Sequence, residues 1–116
     1  MKRNFEKRLD VKNILQNARS VISLAMNYYT PQSYSNKNGV GKVSRYAWGK
    51  DYHLIIWEKL ELLEEKLKLI EPEFECISYV DTGPIMDKVW AARAGIGWMG
   101  KHSNIITQEM GSWIFL

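Results

Sequence analysis

The stretch YVDTGPIMDKVWAARAGIGWMGKH, residues 79–102, organises the rest of the chain. Its first residues, like the segment before them, carry side chains that favour a strand, and Asp81 ends that run. Thr82 is the predicted N-cap of the next helix, Pro84 suits its first turn, and Gly95 is the predicted terminator. The pattern therefore predicts a carboxylate at the end of a strand and beside a helix N-terminus, where α/β proteins often build sites.

Asp81 has a structural and a functional interpretation. Aspartate is common in turns and at helix N-termini, and that structural role is the more frequent one. A helix N-terminus favours the ionised carboxylate, which works against a role as proton donor. Only an apolar cover, such as a large ligand, would favour the protonated form. The residues alone leave the choice open.

The glycines that follow match two nucleotide-binding patterns incompletely. Gly95, Gly97 and Gly100 fit G-x-G-x-x-G, but a predicted helix precedes them and a β-like run follows, which inverts the dinucleotide-binding order. A P-loop is also excluded, because His102 occupies the position of the magnesium-binding Ser or Thr. These glycines allow either tight turns or the close approach of a ligand.

Composition places the chain among ordinary globular domains. Of its 116 residues, 46% are hydrophobic and 25% charged, and the net charge of +3 permits an acidic partner such as RNA without indicating one. The single cysteine, Cys76, excludes an internal disulfide and an all-cysteine metal site within the chain. The sequence contains no apolar run long enough for a membrane span and no signal peptide, so we expect a cytoplasmic protein without membrane contact.

Periodicity predicts the other elements. Residues 51–70 carry an apolar stripe at helical spacing, and residues 20–29 alternate as a central strand would. Asp10 is the predicted N-cap of a short helix over 11–16, and β-like runs near 103–107 and 112–116 predict a hairpin. The expected fold class is α/β, an α+β sandwich with a mixed sheet and flanking helices. Because the last β-like run reaches the final residue, residues 1–116 are expected to form a single, truncated domain.

Residues 30–49 form the irregular part of the chain. Lysine and arginine side chains alternate there with Tyr34, Tyr46 and Trp48. Cations bind phosphates and aromatic rings stack on bases, so this loop could contact a nucleic acid. The other interpretation, which the sequence slightly favours, is a solvated loop that its aromatic residues anchor.

Three sequence blocks together resemble the N-terminal cobalamin-binding domain of epoxyqueuosine reductase. The first combines Arg8-Leu-Asp with Ala18-Arg-Ser-Val-Ile, and the second is Arg45-Tyr-Ala-Trp-Gly-Lys-Asp-Tyr-His. The third joins Tyr79-Val-Asp-Thr-Gly-Pro to Ala94-Gly-Ile-Gly-Trp-Met-Gly-Lys-His and Gly111-Ser-Trp. The resemblance implies a fold related to nitroreductase-like and cobalamin-processing domains. It also implies a cobalamin- and iron–sulfur-dependent oxidoreductase of queuosine biosynthesis, which reduces epoxyqueuosine in tRNA to queuosine.

The resemblance assigns roles to particular positions. Asp81 falls on the family's proton donor near the cobalt, and the corrin would supply the apolar cover that keeps it protonated. Further cofactor contacts are expected from Arg8, Ser44, Gly100, Lys101, Asn104 and Ile105. Ser44 replaces a cysteine found in some members, so no sulfur contact is expected there. Asp51, Tyr52 and His53 would lie near the same cavity, close to the substrate.

The chain also departs from the family pattern. The family continues with a ferredoxin-like domain whose cysteines hold two [4Fe-4S] clusters, and this chain carries no such cysteines and therefore no metal site of its own. The expected partners are therefore tRNA carrying epoxyqueuosine and the missing iron–sulfur domain of the same protein, and the fragment alone should be inactive. Two alternatives remain: a relative of cobalamin-dependent reductive dehalogenases, and a non-catalytic module that binds RNA or a partner through residues 30–49.

Overall fold

The computed structural model describes residues 5–116, which form three helices and four short strands. The regular elements are α1 (Phe5–Leu9), β1 (Met26–Asn27), α2 (Tyr52–Ile70), α3 (Asp87–Arg93), β2 (Trp98–Met99), β3 (Ile105–Ile106) and β4 (Ile114–Phe115). Two single turns of 3-10 helix, Val11–Asn13 and Arg45–Ala47, lie in the long connections. The predicted combination of helices and strands is confirmed.

Helix α2 confirms the clearest prediction from the sequence. Asp51 is its N-cap, and its carboxylate accepts a hydrogen bond from the backbone N–H of His53 at 2.9 Å. The apolar stripe lies on the less exposed face except at its last residue, Ile70, which is 81% exposed. The helix ends where Glu71 becomes extended, immediately before Pro72.

The sheets are smaller than the sequence predicts. Strand β1 pairs with β4, and β2 pairs with β3; both pairs are antiparallel and two-stranded. The prediction of one mixed sheet is therefore wrong for residues 5–116. The extended segments on which it relied, 20–25 and 75–80, have no strand partner, and a sheet requires backbone pairing as well as β-favouring side chains.

The predicted strand over residues 20–29 is correspondingly reduced to β1. Its alternation also changes phase, because Ile22 and Leu24 are exposed whereas Met26 and Tyr28 are half-buried. Met26 and Tyr28 are the part of the segment next to β4, which explains why only they are covered.

Helix α3 begins five residues later than Thr82, its predicted N-cap. The backbone N–H and the hydroxyl of Thr82 both donate to the carbonyl of Val80, at 2.6 and 3.4 Å, so the hydroxyl is not available to cap a helix. Pro84 consequently precedes the helix, and Met86 is the N-cap residue without a side-chain hydrogen bond. The predicted termination at Gly95 is confirmed, because its φ of +79° places it in the left-handed region.

The C-terminal β-like runs also pair differently from the prediction. The β-hairpin is formed by β2 and β3 around the glycine-rich loop, and Gly100 donates its N–H to the carbonyl of Asn104 at 2.8 Å. The two runs predicted to pair with each other do not do so: Thr107 of the first run makes a single bridge to Gly111 in the connecting loop, and the second run pairs with β1 through β4. The short helix predicted over 11–16 is the 3-10 turn Val11–Asn13, and Asp10 caps it as predicted.

Only a small core is closed within the described chain. The fully buried apolar side chains are those of Val80, Ala91 and Ile105. The accessible surface is 9542 Å², whereas a compact monomer of this mass would expose about 6500 Å². A cleft of about 1840 Å³ separates the stripe of α2 from the extended segments on either side of it. Among residues 5–116, no helix is both long and apolar enough to cross a bilayer.

Candidate active site

Asp81 lies in a tight and strained turn. Its φ is +60°, and the residues on either side of it are joined by the hydrogen bond from the Thr82 N–H to the Val80 carbonyl. This combination defines the rare form of the γ-turn, which is energetically unfavourable for a residue other than glycine. Gly83 follows immediately, and a side chain there would collide with Tyr79, because its Cβ would lie 2.8 Å from the tyrosine Cβ. The turn therefore holds an exposed carboxylate next to buried Val80.

Tyr52 makes the hydrogen bond that defines the side-chain position of Asp81. Its hydroxyl donates to Oδ2 of Asp81 at 3.0 Å, and the ring stacks against both His53 and Phe115, with centroids 4.1 and 4.0 Å away. Tyr46 meets the same ring edge-on at 6.4 Å. Burial, and then the hydrogen bond to Asp81, raises the pKa of Tyr52 to about 12. The phenol therefore keeps its proton, and donates a hydrogen bond to the carboxylate, throughout the physiological range.

Asp51 and His53 support this tyrosine from the first turn of α2. One oxygen of Asp51 accepts from the backbone N–H of His53 at 2.9 Å and lies 2.8 Å from Nδ1 of the same ring. The backbone N–H of His53, and then its side chain, lower the pKa of the Asp51 carboxyl. The histidine ring that stacks on Tyr52 is thus held by the residue that caps the helix.

The glycine-rich loop forms a second part of the candidate site. Gly100 begins the turn between β2 and β3, and Lys101 and Asn104 are exposed on it. Ile105, by contrast, is only 2% exposed, so its side chain belongs to the core and only its backbone can face a ligand. Lys88, in the first turn of α3, donates to the side-chain oxygen of Asn104 at 2.9 Å. Helix α3 therefore connects the turn at Asp81 with this loop.

Two predicted cofactor contacts are not joined to these residues. Arg8 lies on the exposed surface of α1, and in the described part of the chain it has no hydrogen bond or salt bridge to the Asp81 side chain. Ser44 is the exposed N-cap residue of the turn Arg45–Ala47, and its hydroxyl makes no capping hydrogen bond. Both stay predictions that depend on the resemblance.

The loop over residues 30–49 is built around Arg45. The guanidinium lies 5.0 to 5.5 Å from the ring centroids of four aromatic residues, Tyr29, Tyr34, Trp48 and Trp113. It also donates to the carbonyl of Thr30, and the indole N–H of Trp48 donates to the carbonyl of Val43 at 2.8 Å. Most of the aromatic rings near this loop are therefore used within the chain, as expected for a loop that is anchored by its aromatics.

Two residues of the site were missed by sequence reasoning. Phe115 reaches Tyr52 only because β4 pairs with β1, and nothing in the local pattern of 112–116 indicates that contact. Lys88 resembles any surface lysine in the first turn of a helix, and its contact with Asn104 spans 16 residues. Both contacts depend on long-range geometry, so no local signal could have identified them.

Chemically, the arrangement can hold and deliver a proton at an exposed carboxyl. One oxygen of Asp81 accepts from Tyr52, which leaves the other oxygen available to a ligand. In the glycine-rich loop the space beside Gly97 and Gly100 is filled by Ile105, Ile106 and His102, so a ligand would meet the exposed side chains of the loop, Lys101 and Asn104 among them. These features are compatible with acid catalysis on a bulky bound molecule.

Comparison with known proteins identifies the relatives of this chain. The family profile described as "Epoxyqueuosine reductase QueG, DUF1730" matches residues 8–82. The epoxyqueuosine reductase of Synechocystis sp. is 49% identical over 110 residues, which cover 95% of this chain and 38% of that protein.

Solved structures show the same similarity. The epoxyqueuosine reductase of Streptococcus thermophilus superposes with a TM-score of 0.87 at 36% identity, covering 97% of this chain and 31% of that one. A crystal structure of epoxyqueuosine reductase with an epoxyqueuosine-modified tRNA-Tyr stem loop gives a TM-score of 0.78 at 36% identity, over 95% and 30% of the two chains. The chain thus spans about a third of the length of the relatives that it matches.

Proposed function

Because this chain belongs to the epoxyqueuosine reductase family, we propose that it forms the cobalamin-binding and proton-donating part of an enzyme that reduces epoxyqueuosine in tRNA to queuosine. The observation that carries the proposal is the carboxyl of Asp81, exposed on a strained turn and held by Tyr52 at 3.0 Å. Backbone strain of this kind persists where the surrounding structure enforces it, and it is concentrated at functional sites.

The proposed role of Asp81 follows from the chemistry of epoxides. Reductive opening of an epoxide leaves an alkoxide, which is a strong base and has to be protonated. A carboxylic acid at that position supplies the proton directly and becomes a carboxylate. The hydroxyl of Tyr52 then donates to the resulting charge, and hydrogen bonds to charged groups are the stronger ones.

The glycine-rich loop is where we propose that cobalamin binds. A side chain at Gly100 would meet the ring of His102 at 2.5 Å and Cδ1 of Ile106 at 2.8 Å, so the loop keeps this shape only with glycine at that position. We assign the contact to the backbone of Gly100 and Ile105 and to the side chains of Lys101 and Asn104, with Arg8 and Ser44 as outer contacts. Bound cobalamin would supply the reducing power at the epoxide carbon.

The rest of the enzyme is proposed to lie in the remaining length of the family. We place the electron supply, two [4Fe-4S] clusters, in that part, since residues 1–116 contain one cysteine. The same part would cover the apolar surface that remains open here, and it would share in binding the tRNA. The proposed location is the cytoplasm, and the isolated chain is proposed to be inactive.

The alternative of a non-catalytic RNA-binding loop has less support. Base stacking requires free aromatic faces, whereas Tyr34 and Trp48 pack against each other at 5.0 Å and around Arg45. Nothing in the described residues favours the dehalogenase alternative over the tRNA enzyme.

The test is a visible-absorbance titration with hydroxocobalamin, carried out on this chain and on a full-length relative. Saturation at one cofactor per chain is expected, with weaker binding after Lys101→Ala, which removes an exposed side chain of the loop. Lys66→Ala is the matched control, because Lys66 is an exposed lysine of α2. Binding by the full-length relative alone would mean that the remaining domains complete the pocket, and failure of both to bind would overturn the cofactor assignment.

A second measurement tests the catalytic assignment separately. In the full-length relative, Asp81→Asn at the equivalent position is expected to reduce turnover by a factor of about 100 or more, the usual contribution of a general acid. Unchanged turnover would overturn the assignment of Asp81 as the proton donor.

A further inference from the structure

We infer that Tyr52 is the positioning residue of the proton-donating carboxyl, because it holds Oδ2 of Asp81 and leaves Oδ1 as the oxygen that carries and delivers the proton. This inference rests on the proposed function and adds a residue to it. It concerns the side chain whose hydroxyl lies 3.0 Å from that carboxyl.

The hydrogen-bonding capacity of the two groups supports this division of roles. A neutral carboxyl has one protonated oxygen and one acceptor oxygen, and a carboxylate has two acceptors. Tyr52 can therefore donate to Oδ2 before and after the proton leaves Oδ1, without any rearrangement. The bond becomes charge-assisted, and hence stronger, once Asp81 is ionised. The phenol thus stabilises the form of Asp81 that proton transfer produces.

The ring of Tyr52 is fixed from several directions. His53 and Phe115 stack against it at interplanar angles of 27° and 10°, and Tyr46 meets it edge-on. These contacts come from α2, from β4 and from the turn Arg45–Ala47, so the ring is located by three separate segments. A hydroxyl on a ring held in this way can orient a carboxyl, since a freely rotating ring would not define its direction.

The charged and titratable groups around Tyr52 have the signs that keep its proton in place. Asp81 and Asp51 are the carboxylates that act on it, Tyr46 is the neighbouring phenol, and His53 is the stacked imidazole. Burial is the first cause of the raised phenol pKa, and the Asp81 hydrogen bond is the second. Tyr52 is therefore a hydrogen-bond donor and not itself the acid over the working range of an enzyme.

The first test detects the hydrogen bond between Tyr52 and Asp81 through the titration of the phenol and requires no enzymatic turnover. The chain contains six tyrosines, and ¹³Cζ-tyrosine NMR of the chain, assigned with Tyr52→Phe, follows each phenol separately. The pKa of the Tyr52 phenol, about 12, is expected to fall in Asp81→Asn and to remain unchanged in the matched Tyr34→Phe control. An unchanged Tyr52 titration in Asp81→Asn would overturn the inference.

The second test uses turnover by a full-length relative with substitutions at the equivalent positions. Tyr52→Phe retains the stacked ring and removes only the hydroxyl, and it is expected to lower kcat about tenfold with KM unchanged, in keeping with the loss of one hydrogen bond to a charged group. The pH profile of kcat is expected to shift and the solvent isotope effect to rise, which a purely structural role would not cause. Tyr34→Phe should leave all three quantities unchanged.

The outcomes distinguish the positioning role of Tyr52 from the proton-donor role of Asp81. If Asp81→Asn abolishes turnover while Tyr52→Phe behaves like Tyr34→Phe, the positioning role is wrong and the proton-donor assignment stands. A change confined to KM, with an unmoved pH profile, would also overturn the positioning role. If Asp81→Asn retains turnover, the proton-donor assignment itself fails.

Discussion

Replacing Gly97 by alanine should destabilise the hairpin that carries the glycine-rich loop. Gly97 immediately precedes β2, and a Cβ at this position would collide first with the carbonyl oxygen of Ile106 and would lie 2.9 Å from Cγ2 of Ile105 and from the carbonyl carbon of Ile106. Ordinary contact begins near 3.4 Å, so the two carbon atoms would have to retreat by about 0.5 Å and the carbonyl oxygen of Ile106 by more. Ile106 is the register partner of Trp98, and its backbone cannot retreat without pulling β3 away from β2.

The expected cost follows from the two ways in which the hairpin can respond. Overpacking in a well-filled region costs about 1–3 kcal/mol, and each ladder hydrogen bond that is lost costs about 1 kcal/mol more. The alanine also lowers the conformational entropy of the unfolded chain, which stabilises the folded state by about 0.4–1 kcal/mol. With one ladder hydrogen bond lost, the net loss in the free energy of unfolding is therefore about 1–4 kcal/mol.

Two other glycines serve as matched controls for this change. Gly95 has a φ of +79° with no atom within 4 Å of its added Cβ, so its alanine variant reports backbone strain alone, about 1 kcal/mol. Gly41 has ordinary φ and open space, so Gly41→Ala should be neutral or slightly stabilising. The three variants thus distinguish a steric clash at Gly97, backbone strain at Gly95 and neither effect at Gly41.

The assay is urea unfolding of the three variants, followed by tryptophan fluorescence and by circular dichroism, with equal slopes as the test of a common unfolded state. Hydrogen exchange at the Gly100 amide, which donates across the hairpin, reads the same region locally. If the free energies of unfolding of Gly97→Ala and Gly41→Ala differ by less than about 0.5 kcal/mol and the Gly100 amide is equally protected in both variants, the proposed clash at Gly97 is refuted.

Two further predictions concern α2 and the loop before it. Asp51→Ala should lower the thermal midpoint more than Asp51→Asn, because asparagine can still cap α2. The pKa of Asp51 is lowered in the folded state, so its charge stabilises the fold above the ordinary aspartate pKa and stops doing so as pH falls through the lowered value. The thermal midpoints of wild type and Asp51→Asn, followed by circular dichroism, should therefore converge in acid. Arg45→Gln should open the surrounding loop and speed Lys-C cleavage after Lys37 and Lys42 relative to wild type, whereas cleavage after Lys59 in α2 should keep its wild-type rate. Wild-type rates at all three sites of the variant would contradict the anchoring role of Arg45.

The elements that were predicted well are those whose stabilising contacts are local in sequence. Helix α2 needs its 3–4 apolar spacing and the Asp51 cap, and both lie within its own residues. The end of α3 depends on Gly95, whose N–H donates to the carbonyl of Ala92, while the N–H of Ile96 donates to that of Ala91. Such contacts span a few residues, so they can be recognised in a sequence without knowledge of the rest of the fold.

The strands were predicted less well because their partners are distant. Val80 and the residues before it have β-favouring side chains, yet they form no strand in the described chain. Thr82 fails as a cap for a related reason: a tight turn at Asp81 directs its hydroxyl towards the carbonyl of Val80. Residue preference states what a segment can do, and the competing turn or missing partner decides what it does.

The chemistry of the candidate site could likewise be predicted only in part, because it depends on residues that are distant in sequence. Local sequence identified Asp81, but whether it is a turn residue or an acid depends on groups that approach it from elsewhere in the chain. Tyr52 is 29 residues away and supplies the hydrogen bond, and the ring of Phe115 that steadies Tyr52 comes from the last strand. The strained turn exposes the carboxyl, and the stacked phenol gives it a direction. A substitution that removes only the hydroxyl of Tyr52 therefore tests the site more sharply than one that removes Asp81, because it leaves the turn, the ring and the carboxyl in place.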